Sequence, residues 1–324
     1  MKNQIIHSSW GVAILGIILG FAFLVIPRQF DPDQFRNSVV LLENGNGRGT
    51  GVFITPDTFV TNYHVSGGAP TITFRVVSDQ FNYTADRVAD NVRFDLAVYK
   101  IQPESSRLLQ ERDRLIVPLE WADSFDVEIG DRVWNIGSAF GFEFIVTRGI
   151  ISAPFIFDET GAFTITDALL FPGNSGGPMI DTEGRIVGIN TKTLSVQLGL
   201  AGATSNHFNA AIPANIAERI LNDLLQGETG TLNTIGIMID INHSNHYLTA
   251  VTDNDEQIVL ENDQLLGFMR EEDRRWRYFT NSGSYIVLEQ SSQNGDKIKL
   301  LIERDGEQIE IEVTVEAFDF TPQN

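Results

Sequence analysis

From Ser38 to about Asp181 the chain alternates short apolar runs with turn residues: SVVLLE, GVFIT, FVTNYHV, TITFRVV, LAVYKI, DRVWNIG, FIVTRGIISA, AFTITDALL and RIVGINT, broken by segments such as NGNGRGTG, PDT and SGGAP. The runs are rich in Val, Ile, Thr and Phe and too short to be amphipathic helices, so this spacing predicts a mainly β region, a sandwich or barrel. Helical periodicity first appears in IPANIAERILNDLLQG, where Ile216, Ile220, Leu221 and Leu224 recur on one face and Gly227 stands where a helix stops. That helix marks a boundary. Beyond it, residues 228–320 return to runs read as strands, IGIMIDI, YLTAV, SYIVLEQ, DKIKLLIER and EQIEIEVTV. The last two meet across Asp305-Gly306, a pair suited to the positive φ of a tight hairpin. A second, smaller β-rich module is expected there.

A length of 324 residues allows two or three units with their own cores. The formal net charge of −20 argues against nucleic acid or anionic lipid headgroups as partners. With no cysteine in the chain, disulfides, thiolate metal sites and a cysteine nucleophile are excluded. The five histidines, His7, His64, His207, His243 and His246, form no HExxH or comparable pair, so neither a metal nor a cofactor is expected.

Residues 10–26, WGVAILGIILGFAFLVI, carry no charge. With their flanks they reach the roughly 20 residues needed to cross a bilayer. Lys2 before the run and Asp31 and Asp33 after it favour a cytoplasmic amino end with the rest outside. A cleaved signal peptide is the competing reading, although the small-x-small triplet Gly20-Phe21-Ala22 lies inside the apolar run rather than after it. The expected organisation is therefore a short amino end (1–9), an anchor (10–27), a linker (28–37), a first β domain (38–226), a second module (227–320) and a tail (321–324).

Three segments of the first β domain carry groups that act together in acyl transfer. FVTNYHV places His64 near a strand end, RFDLAVYKI places Asp95 at a strand start, and FPGNSGGPMID places Ser175 in a glycine-rich loop. Ser175 needs a base to take its proton as it attacks a carbonyl, and His64 is suited to that work. Asp95, flanked by Phe94, Leu96, Ala97 and Val98, is expected to be buried and to orient His64. The glycines allow the N–H groups of Gly173 and Ser175 to converge on a developing oxyanion. The order His, Asp, Ser on a β scaffold is that of chymotrypsin-type enzymes.

These residues resemble the HtrA/Deg serine proteases, trypsin-like domains followed by PDZ domains. GRGTGVFITPDTFVTNYHV, RFDLAVYKI, GDRVWNIGSAFGFEFIVTRGIISA, ITDALLFPGNSGGPMID and FNAAIPAN are similar to that family's motifs in the same order. The resemblance implies a double β-barrel followed by a PDZ-like α+β domain, and an endopeptidase that acts on protein or peptide substrates. It also implies a homotrimer, with Phe30 and Phe35 at an aromatic contact or simply at the membrane surface. The pocket for the residue before the cut is implied to lie between Leu169 and Leu170 on one wall and Gly188, Ile189 and Asn190 on the other. With no acid there, cleavage after small or medium apolar residues is expected. In the second module Ile235, Gly236 and Ile237 resemble a loop that holds a peptide's terminal carboxylate on backbone amides; a scaffold module that binds nothing is the alternative. Asn174 stands where digestive enzymes carry an aspartate that pairs with a freshly cut amino terminus, so activation by clipping is not expected. Tethered family members suggest a bacterial inner-membrane protein with its catalytic domain in the periplasm, cleaving a membrane-bound signalling substrate under envelope stress. An inactive, peptide-binding or chaperone-like member of the same fold is the second reading.

Overall fold

The computed structural model describes residues 30–44, 47–158, 161–197, 204–230, 232–237, 239, 248–250 and 259–317. The expected anchor (10–27) and the tail lie outside these residues. Among the described residues no helix is long and apolar enough to cross a membrane.

The alternating runs become two closed antiparallel barrels. In the first, β1 (Val39–Asn44), β2 (Gly47–Thr55), β3 (Thr58–Thr61), β4 (Thr71–Val76), β5 (Tyr83–Asn91) and β6 (Leu96–Ile101) close in the order β1-β2-β3-β6-β5-β4. The second barrel comprises β7 (Arg132–Gly137), β8 (Ile145–Asp158), β9 (Gly161–Thr166), β10 (Pro178–Ile180), β11 (Ile186–Gln197) and β12 (Thr204–Pro213), in the order β10-β11-β12-β9-β8-β7. Closure removes unpaired sheet edges. Aromatic residues fill the first interior: Phe59 stacks on Tyr99 at 5.8 Å and meets Phe53 edge-on at 5.9 Å, with all three rings fully buried. Large rings supply much apolar area per residue, which a barrel interior of this width accommodates.

Several expectations need correction. His64 lies not on a strand but in α1 (Tyr63–Ser66), a single helical turn that follows β3. Helix α2 (Pro103–Glu111) was not expected, although proline at its start and Glu104 in its first turn are sequence signals for one. Part of the supposed linker, Pro32–Ser38, is a 3-10 helix that buries Phe35. The Phe35 ring lies against Gly184, where an added Cβ would stand 2.5 Å from it, so Phe35 is a packing residue of the fold rather than a surface aromatic.

The boundary helix forms as expected, as α3 (Ala214–Leu225), with Gly227 just beyond at φ +84°. The module after it contains β13 (Asn233–Thr234), β14 (Leu248–Thr249), β15 (Gln264–Arg270), β16 (Arg277–Tyr278), α4 (Ser282–Ser291), β17 (Lys297–Arg304), β18 (Glu307–Thr314) and β19 (Glu316–Ala317). Strands β17 and β18 pair in full register, and Asp305 and Gly306 turn between them at φ +52° and +83°. SYIVLEQ, read as a strand, lies instead within α4. A capping box outweighs its β-branched residues: Asn281 Oδ1 accepts the Ser284 N–H, while the Ser284 hydroxyl reaches back to the Asn281 N–H.

This module packs on the barrels through a charged clamp. Asp123 and Asp126, in the segment between the barrels, receive Arg277 at 2.7 and 2.8 Å, and Asp123 also receives Arg270 at 3.0 Å. Phe125, from the same segment, meets Phe268 in the module's core at 4.8 Å.

Candidate active site

His64 and Asp95 come together across the rim of the first barrel. His64 Nδ1 lies 2.8 and 3.0 Å from the two Asp95 carboxylate oxygens, and the His64 backbone N–H donates to Asp95 Oδ1 at 2.9 Å. The short α1 turn makes this double grip possible, because it presents backbone and ring of one residue to one carboxylate. Asp95 sits at φ +52°, a left-handed conformation that Asp tolerates better than most side chains. Its carbonyl accepts the Tyr63 N–H at 3.1 Å and the Asn62 Nδ2 at 2.9 Å, which holds the turn. The carboxylate is not fully buried, as its neighbours had suggested, but 26 % exposed. Its remaining contact is the Thr191 hydroxyl, which donates to Asp95 Oδ2 at 2.7 Å. Thr191 was not anticipated from sequence.

Ser175 lies in the loop before β10. Its Oγ donates to the Thr191 carbonyl at 3.3 Å rather than to His64. Catalytic hydrogen bonds are often long or misaligned until substrate binds.

The loop itself is held in a defined shape. Asn174 N–H donates to the Phe171 carbonyl at 2.9 Å, with Pro172 second and Gly173 third at φ +106°, the pattern of a type II turn. The Pro172 carbonyl accepts the Phe140 N–H at 3.1 Å. A trans peptide points its N–H opposite to its carbonyl, so the Gly173 N–H faces away from Phe140. Neither the Gly173 N–H nor the Ser175 N–H donates to a protein atom among the described residues, so both remain free for an oxyanion. A Cβ at Gly173 would lie 2.0 Å from the Ser138 carbonyl oxygen. Below the loop, the Gly176 N–H donates to the Asn190 carbonyl and the Asn190 N–H to the Gly177 carbonyl, each at 2.9 Å. The Asn174 side chain is fully buried, and its carboxamide has no hydrogen-bond partner among the described residues.

The expected substrate pocket is placed only in part. Leu169 is half-exposed and Leu170 part-buried beside the loop. Ile189 and Asn190 are fully buried, Ile189 paired with Ile212 in the barrel and Asn190 bracing the loop. On this strand it is the carbonyl of the next residue, Thr191, that accepts the Ser175 hydroxyl. A cavity of about 570 Å³ opens beside His64 and Asp95, lined by Val92, Phe94, Phe163, Lys192, Ile216 and, from α4, Gln290. Among the described residues no cluster of acidic or histidine side chains could hold a metal ion. His207, His243 and His246 fall where no side chain is described.

Ile235, Gly236 and Ile237 sit beside α4. The Ile235 N–H is already engaged: it donates to the Glu289 carboxylate at 3.0 Å.

Two barrels with a His-Asp pair and a glycine-shaped serine loop define the chymotrypsin-like class, and residues 49–189 match the trypsin-like peptidase domain. Among curated relatives, a probable periplasmic serine endoprotease DegP-like of Hahella chejuensis is 33 % identical over 216 residues, 65 % of this chain and 42 % of the relative. Its counterpart from Chlamydia trachomatis is 31 % identical over 289 residues, 83 % of this chain and 54 % of the relative. The chain thus spans about half the length of the curated relatives it matches. Among solved structures, the HtrA-type protease AlgW with a tripeptide superposes at a TM-score of 0.58 with 22 % identity, covering 88 % of this chain and 95 % of that one. The chain thus carries a trypsin-like peptidase domain, is similar in sequence to DegP-like serine endoproteases and shares the fold of an HtrA-type protease.

Proposed function

We propose that the chain is a serine endopeptidase in which Ser175 attacks the peptide carbonyl, His64 Nε2 takes the hydroxyl proton and later gives it to the leaving amine, and Asp95 steadies the imidazolium. Asp95 on Nδ1 leaves Nε2 as the nitrogen available to the serine. The Gly173 and Ser175 N–H groups receive the oxyanion. The observation that carries this reading is the grip of one carboxylate on both ring and backbone of His64, beside a serine loop whose oxyanion donors are free.

For substrate choice, Leu169, Leu170 and Thr191 support cleavage after small or medium apolar residues, because a lysine or arginine would enter without a counter-charge. The neighbouring cavity suits an apolar side chain further toward the substrate's amino end. The names of the curated relatives support a periplasmic site of action. Retention by residues 10–27, a homotrimeric assembly, a role in envelope stress signalling and peptide binding by a PDZ-like second module belong to the same proposal. The second reading, a weakly active or inactive member of the fold, draws on Ser175 Oγ facing Thr191 rather than His64.

A fluorophosphonate probe and an unfolded protein substrate separate the two. Probe labelling and cleavage that both vanish in Ser175→Ala are expected; cleavage that survives this substitution would sink the mechanism, and wild-type protein that neither labels nor cleaves would favour the second reading.

A further inference from the structure

The second module holds a carboxylate where its loop geometry offers one a seat. Glu289 lies near the end of α4, and one of its oxygens, Oε1, accepts the Ile235 N–H at 3.0 Å and the Thr234 hydroxyl at 2.8 Å. The Tyr285 hydroxyl lies 3.1 Å from the same oxygen and 2.7 Å from the Ile237 carbonyl, so it bridges helix and loop. Thr234 Oγ1 in turn accepts the Gly236 N–H at 3.0 Å, which shapes the turn that aims these donors. Backbone and hydroxyl donors thus converge on one carboxylate oxygen.

Glu289 forms no ion pair among the described residues, and burial pushes its carboxyl group up from the usual carboxylate range. A carboxylate partly withdrawn from water without a cation is held at a cost that hydrogen bonds offset only in part. The seat also has an open side. Gly236 is exposed at φ +71°, and among the described residues a Cβ built on it would meet nothing within 4 Å. Ile235, Ile237 and Tyr285 are buried around it in the module's apolar core.

We propose that Glu289 is the resident occupant of a carboxylate seat formed by the Ile235 N–H and the Thr234 hydroxyl, and that the seat admits the terminal carboxylate of a peptide with an apolar last residue only when Glu289 leaves. The inference rests on the peptide-binding reading of this module given above. Exchange keeps one negative charge on the same donors and returns Glu289 to water, so the incoming peptide meets no new electrostatic penalty at the seat. In the resting chain the module is closed by its own side chain.

Fluorescence anisotropy with a labelled peptide ending in a free apolar residue, and the same peptide amidated, tests this on the full chain. Wild type is expected to bind weakly. Glu289→Ala, and Glu289→Asp, whose shorter arm withdraws from the seat while keeping the helix charge, are expected to bind the free-acid peptide about tenfold more tightly. The amidated peptide is expected to gain nothing. Equal binding by wild type and both variants, a gain shared by the amidated peptide, or no binding by any of them would each overturn the proposal. Probe labelling of Ser175 in the same samples reports the peptidase reading separately.

Discussion

The Thr50 hydroxyl donates to the Gly173 carbonyl at 2.7 Å and accepts the Ser138 N–H at 2.9 Å. The Thr50 N–H also donates to the Ser175 carbonyl at 2.9 Å, and its own carbonyl accepts the Thr61 hydroxyl at 2.7 Å. One buried residue of the first barrel therefore ties the strand before His64 to both ends of the oxyanion turn in the second.

Thr50→Val keeps the shape and removes the hydroxyl, leaving a buried carbonyl and a buried N–H unpaired. The expected loss is about 1–3 kcal/mol of stability and roughly 10- to 100-fold in kcat with little change in KM. Thr50→Ser should restore most of both. Urea denaturation and steady-state peptide cleavage check this; a valine variant with unchanged kcat would remove Thr50 from the positioning of the loop.

Gly173→Ala places a Cβ against the Ser138 carbonyl oxygen at a φ of +106°. The turn must change, and with it the direction of the Gly173 N–H. A fall of about 10²- to 10³-fold in kcat is expected, the usual effect of losing one oxyanion donor. Comparing cleavage rates with binding of a substrate to the Ser175→Ala form separates this from lost affinity.

Two carboxylates, Asp79 buried and Glu289 part-buried, should give opposite pH signatures. Asp79 is fully buried between Arg112 at 3.1 Å and Arg114 at 2.9 Å, with the Tyr83 hydroxyl at 2.8 Å. Burial alone would raise its pKa, but these donors and the Phe81 N–H hold it well below the ordinary 3.8. Its stabilisation is present above that value and lost as pH falls below it. Asp79→Asn should cost about 3 kcal/mol near pH 7, a deficit that shrinks in acid. Glu289 has the reverse sign: its raised pKa means the folded chain holds the proton more tightly, so its contribution is lost as pH rises above the ordinary 4.5. Glu289→Gln should therefore be more stable than wild type at pH 8 and equal to it near pH 4. Denaturation across pH 2.5 to 8 reads both; parallel profiles for the two variants and wild type would contradict them.

Arg277 bridges the modules while being only 13 % exposed. Arg277→Ala leaves Asp123 to Arg270 alone and strips Asp126 of its more sheltered cation. A loss of about 1.5–3 kcal/mol is expected, together with faster protease cleavage near residues 226–232. An unchanged digestion pattern would show that apolar contacts such as Phe125 on Phe268 hold the modules without the clamp.

The residues proposed as the triad were legible because each sits beside a local constraint that shows in sequence: the strand ending before His64, the strand beginning after Asp95, and the glycines around Ser175. Thr50 and Thr191 were not legible. Their work depends on hydrogen bonds to segments far along the chain, and a threonine in a strand looks like any other. The full burial of Ile189 and Asn190 was not legible for a related reason: it follows from how β11 and the serine loop are registered, which no spacing along one strand reveals. SYIVLEQ misled because its β-branched centre outweighed the Asn281-x-x-Ser284 cap in a reading by composition.

The sequence by itself determined the alternating pattern of a mainly β sandwich or barrel, the boundary helix, the β17–β18 hairpin and the residues proposed as acid, base and nucleophile. These follow from short-range rules of period, turn chemistry and residue type. Tertiary structure alone decided that Phe140 turns the Pro172 peptide, that Thr50 anchors the oxyanion loop and that Glu289 reaches the Ile235 amide. Each depends on bringing distant backbone groups within about 3 Å, a distance set only when both barrels and the second module have packed.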